Sequence, residues 1–153
     1  MTQTPSKGAE PIVLAYSGGL DTSFLVPWVA ENTGRPVITV TVDTGGIDAA
    51  AAKTLHERAL ALGAIKHYQV DARADYFEQV LRFLIMGNVR RGNLYPLCVG
   101  AERVMQAQTV AQWAKRLGTD VVAHGSTAAG NDQVRFEVAL RTLAPGLEIL
   151  APV

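Results

Sequence analysis

Two stretches of the chain carry residue types whose spacing suits phosphate and amino-acid chemistry. The first is Ser17-Gly18-Gly19-Leu20-Asp21-Thr22-Ser23. Gly18 and Gly19 can take backbone angles that turn successive N–H groups toward one point, and Ser17, Thr22 and Ser23 add hydroxyl donors. A helix opening near Asp21, with that carboxylate as its N-cap, directs its positive end at the same point, which suits a phosphate. No lysine follows the glycines in Walker A order, and the G-x-G-x-x-G order is also absent. On the two glycines alone an ordinary Gly-rich turn from strand to helix is an equal reading, and the full string of glycines, hydroxyls and cap favours the anion site over it.

The second stretch is His124-Gly125-Ser126-Thr127-Ala128-Ala129-Gly130-Asn131-Asp132, followed closely by Arg135. Thr127, Asn131 and Arg135 supply donors for a carboxylate, which Arg135 can hold through two bonds. Asp132 suits an amino group. The plainer reading is that Asn131 and Asp132 cap a helix and that Arg135 is solvated. The histidines His56, His67 and His124 share no metal-ligand spacing, and the metal ligands stay undefined. His56 is expected to face solvent on a helix and His67 to lie on a strand edge. His124, beside the second loop, either orients it or meets a ligand. Cys98 is the sole cysteine. It forms no internal disulfide or zinc site and has no basic surroundings that would make it a nucleophile. A reducing, cytoplasmic setting follows as the expectation.

The elements that must position these loops alternate. Apolar runs at Pro11–Tyr16, Pro36–Val42, Lys66–Val70, Thr119–His124 and Leu147–Ala151 read as strands. Helices are predicted over Thr22 to about Asn32, Ile47–Leu62, Arg73–Met86, Ala101–Leu117 and Asn131–Leu143. Pro27 should kink or shorten the first, and Gly34 should close it. Gly87–Tyr95 reads as loop. This order predicts an α/β fold, a doubly wound and mainly parallel five-stranded sheet with helices on both faces. In such sheets ligands bind at the carboxyl ends of strands where the order reverses, and both loops follow strands. They share one crevice if the first and fourth strands are neighbours.

Composition bounds the rest. The chain has 153 residues, 48% apolar and 18% charged, with zero formal net charge. That describes one globular domain with a sizeable core and no basic excess for nucleic acid. No apolar run approaches the roughly 18 residues of a membrane helix, and the polar start has no secretory core. Residues 1–10 are expected to be flexible, and residues 11–153 to form the folded domain. The apolar end Ala151-Pro152-Val153 reads as a cut between domains.

Ser-Gly-Gly-x-Asp-Thr after an N-terminal strand resembles the pyrophosphate loop of the N-type ATP pyrophosphatases, which adenylate an oxygen and release pyrophosphate. Within that group, Ala15 to Ser23 is similar to the argininosuccinate synthase form at every position. Gly130-Asn131-Asp132-Gln133-Val134-Arg135-Phe136-Glu137 is similar to that family's second signature, preceded by the matching His124-Gly125 and Thr127. The resemblance covers essentially the whole chain but only the N-terminal part of the family's length. The family's C-terminal synthetase and oligomerisation domain is absent from it.

The resemblance implies ATP as substrate, with Mg2+, and ligation of citrulline to aspartate through a citrullyl-adenylate, with no protein nucleophile. It implies that Ala15, Tyr16, Ser17, Gly18, Gly19, Leu20, Asp21, Thr22, Ser23, Val42 and Gly125 bind ATP, Val42 through its backbone. It implies citrulline at Tyr95, Asn131 and Arg135, and aspartate at Thr127, Asn131 and Asp132. Arg103 matches an arginine that follows the tyrosine. It also implies a cytoplasmic enzyme of arginine biosynthesis that is a homo-oligomer at full length. Two features depart from the pattern. Ala128-Ala129-Gly130 replaces Gly-Lys-Gly, and Gly100 stands where the family has a citrulline-binding serine. Two alternatives stay open: an ATP-binding module without its own turnover, and another N-type ATP pyrophosphatase acting on a different amide or ureido substrate. A dedicated sulfur carrier would need more cysteines than Cys98.

Overall fold

The β-branched run from Val37 to Asp43 is buried along its whole length, as a central strand with both faces covered must be. In the computed structural model, which describes residues 10–127 and 130–152, it is β2, flanked by β1 (Ile12–Ala15) and β3 (Lys66–Asp71). The remaining elements are α1 (Leu20–Thr33), α2 (Ala49–Ala61), α3 (Arg73–Tyr76), a π-helical turn (Phe77–Leu81), α4 (Arg82–Met86), β4 (Arg90–Arg91), β5 (Tyr95–Pro96), α5 (Cys98–Arg116), β6 (Val121–His124), α6 (Asn131–Leu143) and β7 (Glu148–Leu150).

The main sheet has the order β3-β2-β1-β6-β7, with every pairing parallel. Alternation along the strands splits the core in two. Val13, Val40, Val42 and Val122 pack against Ala107, Val110 and Ala114 of α5 and Phe136 and Leu140 of α6. Ile12, Leu14, Val37 and Val121 pack on the other face against Leu25, Val26 and Val29 of α1 and Ala59 of α2. The five-stranded, doubly wound α/β fold is therefore as expected.

Several local expectations change. Asp21 is not the N-cap of α1: Gly19, extended at φ −73° and ψ 177°, takes that position, and Asp21 lies exposed in the first turn. The helix begins earlier because Gly18, at φ +74°, completes the turn out of β1. Pro27 does not shorten α1, which continues to Thr33 and closes at Gly34 with φ 66°. An interior proline costs about 3 kcal/mol, whereas burying Leu25, Val26 and Val29 returns about 1.5–3 kcal/mol each. Gly87–Tyr95 is not all loop, because Arg90–Arg91 pairs with Tyr95–Pro96 in a short antiparallel hairpin. The helical stretch from Arg73 to Met86 contains the π turn, and it buries Tyr76 while Phe77 is exposed. The fifth helix starts at Cys98, ahead of the predicted Ala101, so Gly100 is helical. The predicted flexible start, apart from Glu10, lies outside the described residues, as do Ala128 and Ala129.

Candidate active site

The two chemistry-bearing loops leave the same edge of the sheet side by side. Ala15, the last residue of β1, is in register with Val40 on one side and with His124, the last residue of β6, on the other. The strand order reverses between β1 and β6, so this edge is the switch point where open parallel sheets bind ligands. The backbones close up further at Gly125, where a Cβ would lie 3.0 Å from Thr22 Cγ2 and 3.3 Å from Thr22 N. Glycine is what allows the second loop to lie against the first turn of α1.

The first loop is held by its own hydroxyls. The Ser17 N–H donates to Thr22 Oγ1 (3.3 Å), the Gly19 N–H donates to Ser17 Oγ (3.3 Å), and the two hydroxyls pair at 3.1 Å. The two N–H bonds are long, hence weak, and an anion can take their donors over. Among the described residues the N-cap of α1 makes no side-chain hydrogen bond, which leaves first-turn N–H groups open, as suits an anion. Helix α2 braces the loop from behind. Leu55 packs where a Gly18 side chain would stand, and Arg58 Nη1 donates to the Gly18 carbonyl at 2.9 Å. At the strand end, Thr41 Oγ1 donates to the Tyr16 carbonyl (2.7 Å).

Two adjoining clefts open at this edge. The first, of about 450 Å3, is lined by Ala15, Tyr16, Ser17, Asp21 and Thr22, by Val42 of β2, and by Gly125 and Thr127. The second, of about 370 Å3, is lined by Tyr95, Gly100, Asn131 and Arg135. Thr127, Gly130 and Asp132 line both. Of the ATP residues expected from the sequence, Gly18, Gly19, Leu20 and Ser23 do not line the first cleft. Leu20 points into solvent at 86% exposure. All three residues expected at citrulline, and all three expected at aspartate, line the second cleft.

The α5 wall of the first cleft is formed by Glu102, Arg103 and Gln106; sequence reasoning named Arg103 through the family resemblance but missed Glu102 and Gln106. Glu102 accepts from Thr44 Oγ1 (2.7 Å) and from Gln106 Nε2 (3.1 Å), while Arg103 Nη1 donates to Gln106 Oε1 (2.8 Å). The available signal was three polar residues at positions 102, 103 and 106, one helical turn in the first half of a crossover helix, a half that must lie near the strand carboxyl ends. Asp132 is ion-paired to Arg103 (3.2 Å) and to Arg135 (3.1 Å). The Arg135 guanidinium also lies over Gly100, where a Cβ would meet its Nε at 3.4 Å.

His124 is buried and orients the loop: its Nδ1 accepts the Ser126 N–H at 3.3 Å. That places the ring proton on Nε2, which lies 4.0 Å from Glu137 Oε1. Burial holds the imidazole pKa below its ordinary value despite the attraction of Glu137, so the ring is neutral near pH 7. The Gln133 amide hydrogen bond, assisted by Arg141, holds the Glu137 carboxyl below its ordinary range. His67 lies on the edge strand β3 as expected, but its side chain is buried against Thr39 Oγ1 at 2.9 Å. His56 is exposed as predicted, with its ring edge-on to His67 at 5.7 Å. Among the described residues, no group of three or more His, Cys, Asp and Glu side chains is placed to hold a metal ion, and no helix is long and apolar enough to cross a membrane.

Comparison with known proteins decides the family. Residues 11–153 match the family model described as the arginosuccinate synthase N-terminal HUP domain. The chain belongs to the argininosuccinate synthase family. It is 47% identical over 145 residues to the argininosuccinate synthase of Pyrobaculum aerophilum, covering 95% of this chain and 36% of that protein. It is 43% identical over 142 residues to the argininosuccinate synthase of Pyrococcus furiosus, covering 93% of this chain and 34% of that one. The chain thus spans about a third of the length of these family members. A solved structure titled as a predicted subunit of a tRNA methyltransferase from Methanocaldococcus jannaschii superposes with a TM-score of 0.57 at 16% identity. It covers 94% of this chain and 69% of that one, and it supports the fold alone.

Proposed function

We propose that this chain forms the ATP-binding part of an argininosuccinate synthase, with ATP in the first cleft and citrulline and aspartate in the second. The observation that carries the reading is the pairing of β1 with β6, which sets the phosphate-type loop beside the Asn131–Asp132 loop around shared walls. Ser17 to Ser23 would take the phosphates through N–H groups and hydroxyls, Val42 the adenine edge through its backbone, and Gly125 the close approach of the nucleotide. Gly18, Gly19, Leu20 and Ser23 would act through backbone or by shaping the loop, since they do not line the cleft. Tyr95, Asn131 and Arg135 would hold citrulline. Thr127 and Asn131 would meet the carboxylates of aspartate, and Asp132 its amino group.

In the first step the citrulline ureido oxygen attacks the α-phosphorus, the bond to the bridging oxygen breaks, and pyrophosphate leaves. In the second, the aspartate amine attacks the ureido carbon, AMP leaves with the former ureido oxygen, and the amine gives up a proton. The chain's contribution is in-line positioning and donors for the leaving pyrophosphate, with no covalent intermediate on a side chain. Mg2+ would screen the phosphate charge. The described residues offer no ligand cluster of their own, so it would arrive bound to ATP, with the exposed Asp21 as the cleft-wall carboxylate on the phosphate loop.

The test is pyrophosphate release from ATP, with and without citrulline. Citrulline-dependent release supports the reading, and release indifferent to citrulline assigns another acceptor. One observation favours a second reading. The chain spans 34–36% of its relatives' lengths, so substrate-holding groups would lie in the remainder and this part would bind ATP without turnover. Calorimetry with a non-hydrolysable ATP analogue, followed by a product assay, separates the two.

A further inference from the structure

Asp132 stands at the partition between the clefts and is tied to one cation on each side. Its Oδ2 meets Arg103 Nε at 3.2 Å, and its Oδ1 meets Arg135 Nη1 at 3.1 Å. Arg103 belongs to the wall of the first cleft and Arg135 to that of the second. Among the described residues, Arg103 is the only lysine or arginine lining the first cleft, whose phosphate side otherwise offers hydroxyls and N–H groups. The one fixed positive charge facing a triphosphate is therefore already committed to a carboxylate that the second cleft also reaches. All three side chains keep some solvent exposure, from 30% to 44%, so the pairs can exchange partners.

We propose that Asp132 couples the two clefts: an ammonium group bound in the second cleft draws the carboxylate away from Arg103, and the freed guanidinium turns to the phosphates in the first. The inference rests on the assignment of the clefts above and adds an order to them. Amino-acid binding raises the affinity for the triphosphate, and by linkage the triphosphate raises the affinity for the amino acid by the same factor. A guanidinium released from one anion is a bidentate donor for another.

The test is titration of the chain with ATP and with adenosine, each without and with saturating L-aspartate. L-aspartate is expected to tighten ATP by about fivefold or more, within the usual span of site coupling, and to leave adenosine unchanged. Asp132→Asn, which keeps the side-chain shape, should by itself tighten ATP, because it releases Arg103. Arg103→Gln should abolish the coupling while L-aspartate still binds. ATP affinity indifferent to L-aspartate, an equal effect on adenosine, or an Asp132→Asn chain that binds ATP more weakly would each overturn the proposal. No ATP binding by the unaltered chain would instead sink the nucleotide assignment, and the coupling with it.

Discussion

At the scale of single residues, the first loop depends on Gly18. Its φ of +74° is one that L side chains adopt at a cost of about 1–2 kcal/mol, and a Cβ there would collide with Leu55 Cδ2. Gly18→Ala is therefore expected to lower stability by at least about 1 kcal/mol in urea titration and to weaken ATP binding. Adding Leu55→Ala relieves the collision but not the backbone strain, so a double variant restored to full stability would contradict this account. His67 makes a different prediction. Burial, with His56 adding repulsion, lowers its pKa from an ordinary 6.5 to about 4. The unfolded chain thus takes up a proton at higher pH than the folded one. Stability contributed by the neutral ring is present above pH 6.5 and is lost as pH falls toward 4, up to roughly 3 kcal/mol. Urea midpoints between pH 7 and pH 4 should fall less steeply in His67→Gln than in the unaltered chain.

At the scale of elements, α1 is the helix that carries the candidate phosphate site, and it contains a proline. Pro27 removes one backbone bond to the Ser23 carbonyl, and packing compensates. Pro27→Ala is expected to raise the unfolding free energy by about 1–2 kcal/mol, the restored bond outweighing the entropy regained by the unfolded chain. Thermal unfolding reads this directly, and a fall in midpoint would mean that the proline shapes the packing of α1. The starts of α1 and α5 were misplaced for a common reason. Composition marks where a helix can begin, but the first turn is set by how the chain leaves the preceding element. For α1 that is the Gly18 turn, and for α5 the hairpin at Arg90–Pro96. By contrast Asn131–Leu143 was placed at both ends, because Gly130 before it and Ala144-Pro145-Gly146 after it are strong breaks.

At the scale of the whole molecule, a ligand that binds only the folded chain must stabilise it. ATP at about a hundred times its dissociation constant should add about 2.7 kcal/mol, a rise in unfolding midpoint of several degrees. Adenosine at the same concentration should shift the midpoint less, because the first loop and α1 act on the phosphates. Equal shifts would mean that the phosphate loop takes no part. The same scale separates what the chain's order of residues decides from what folding decides. Strand and helix alternation, the parallel sheet and the two loops at strand ends are legible in the sequence, because hydrophobic period and Gly/Pro breaks are local properties. Each loop's donors are legible for the same reason.

The neighbourhood of β1 and β6 is not written in any local pattern. It comes from the crossover that carries the chain from β3 back across the sheet, and it alone turns two separate loops into adjoining clefts. The α5 wall and the reach of Arg103 to Asp132 follow from that same crossover, whereas the Asp132–Arg135 pair lies within one turn of α6. Distance in space between residues far apart in the chain is a tertiary quantity, settled by which faces must be buried together. The sequence by itself therefore determined the fold class and the candidate chemistry, and the packing of helices on the two sheet faces determined which groups meet.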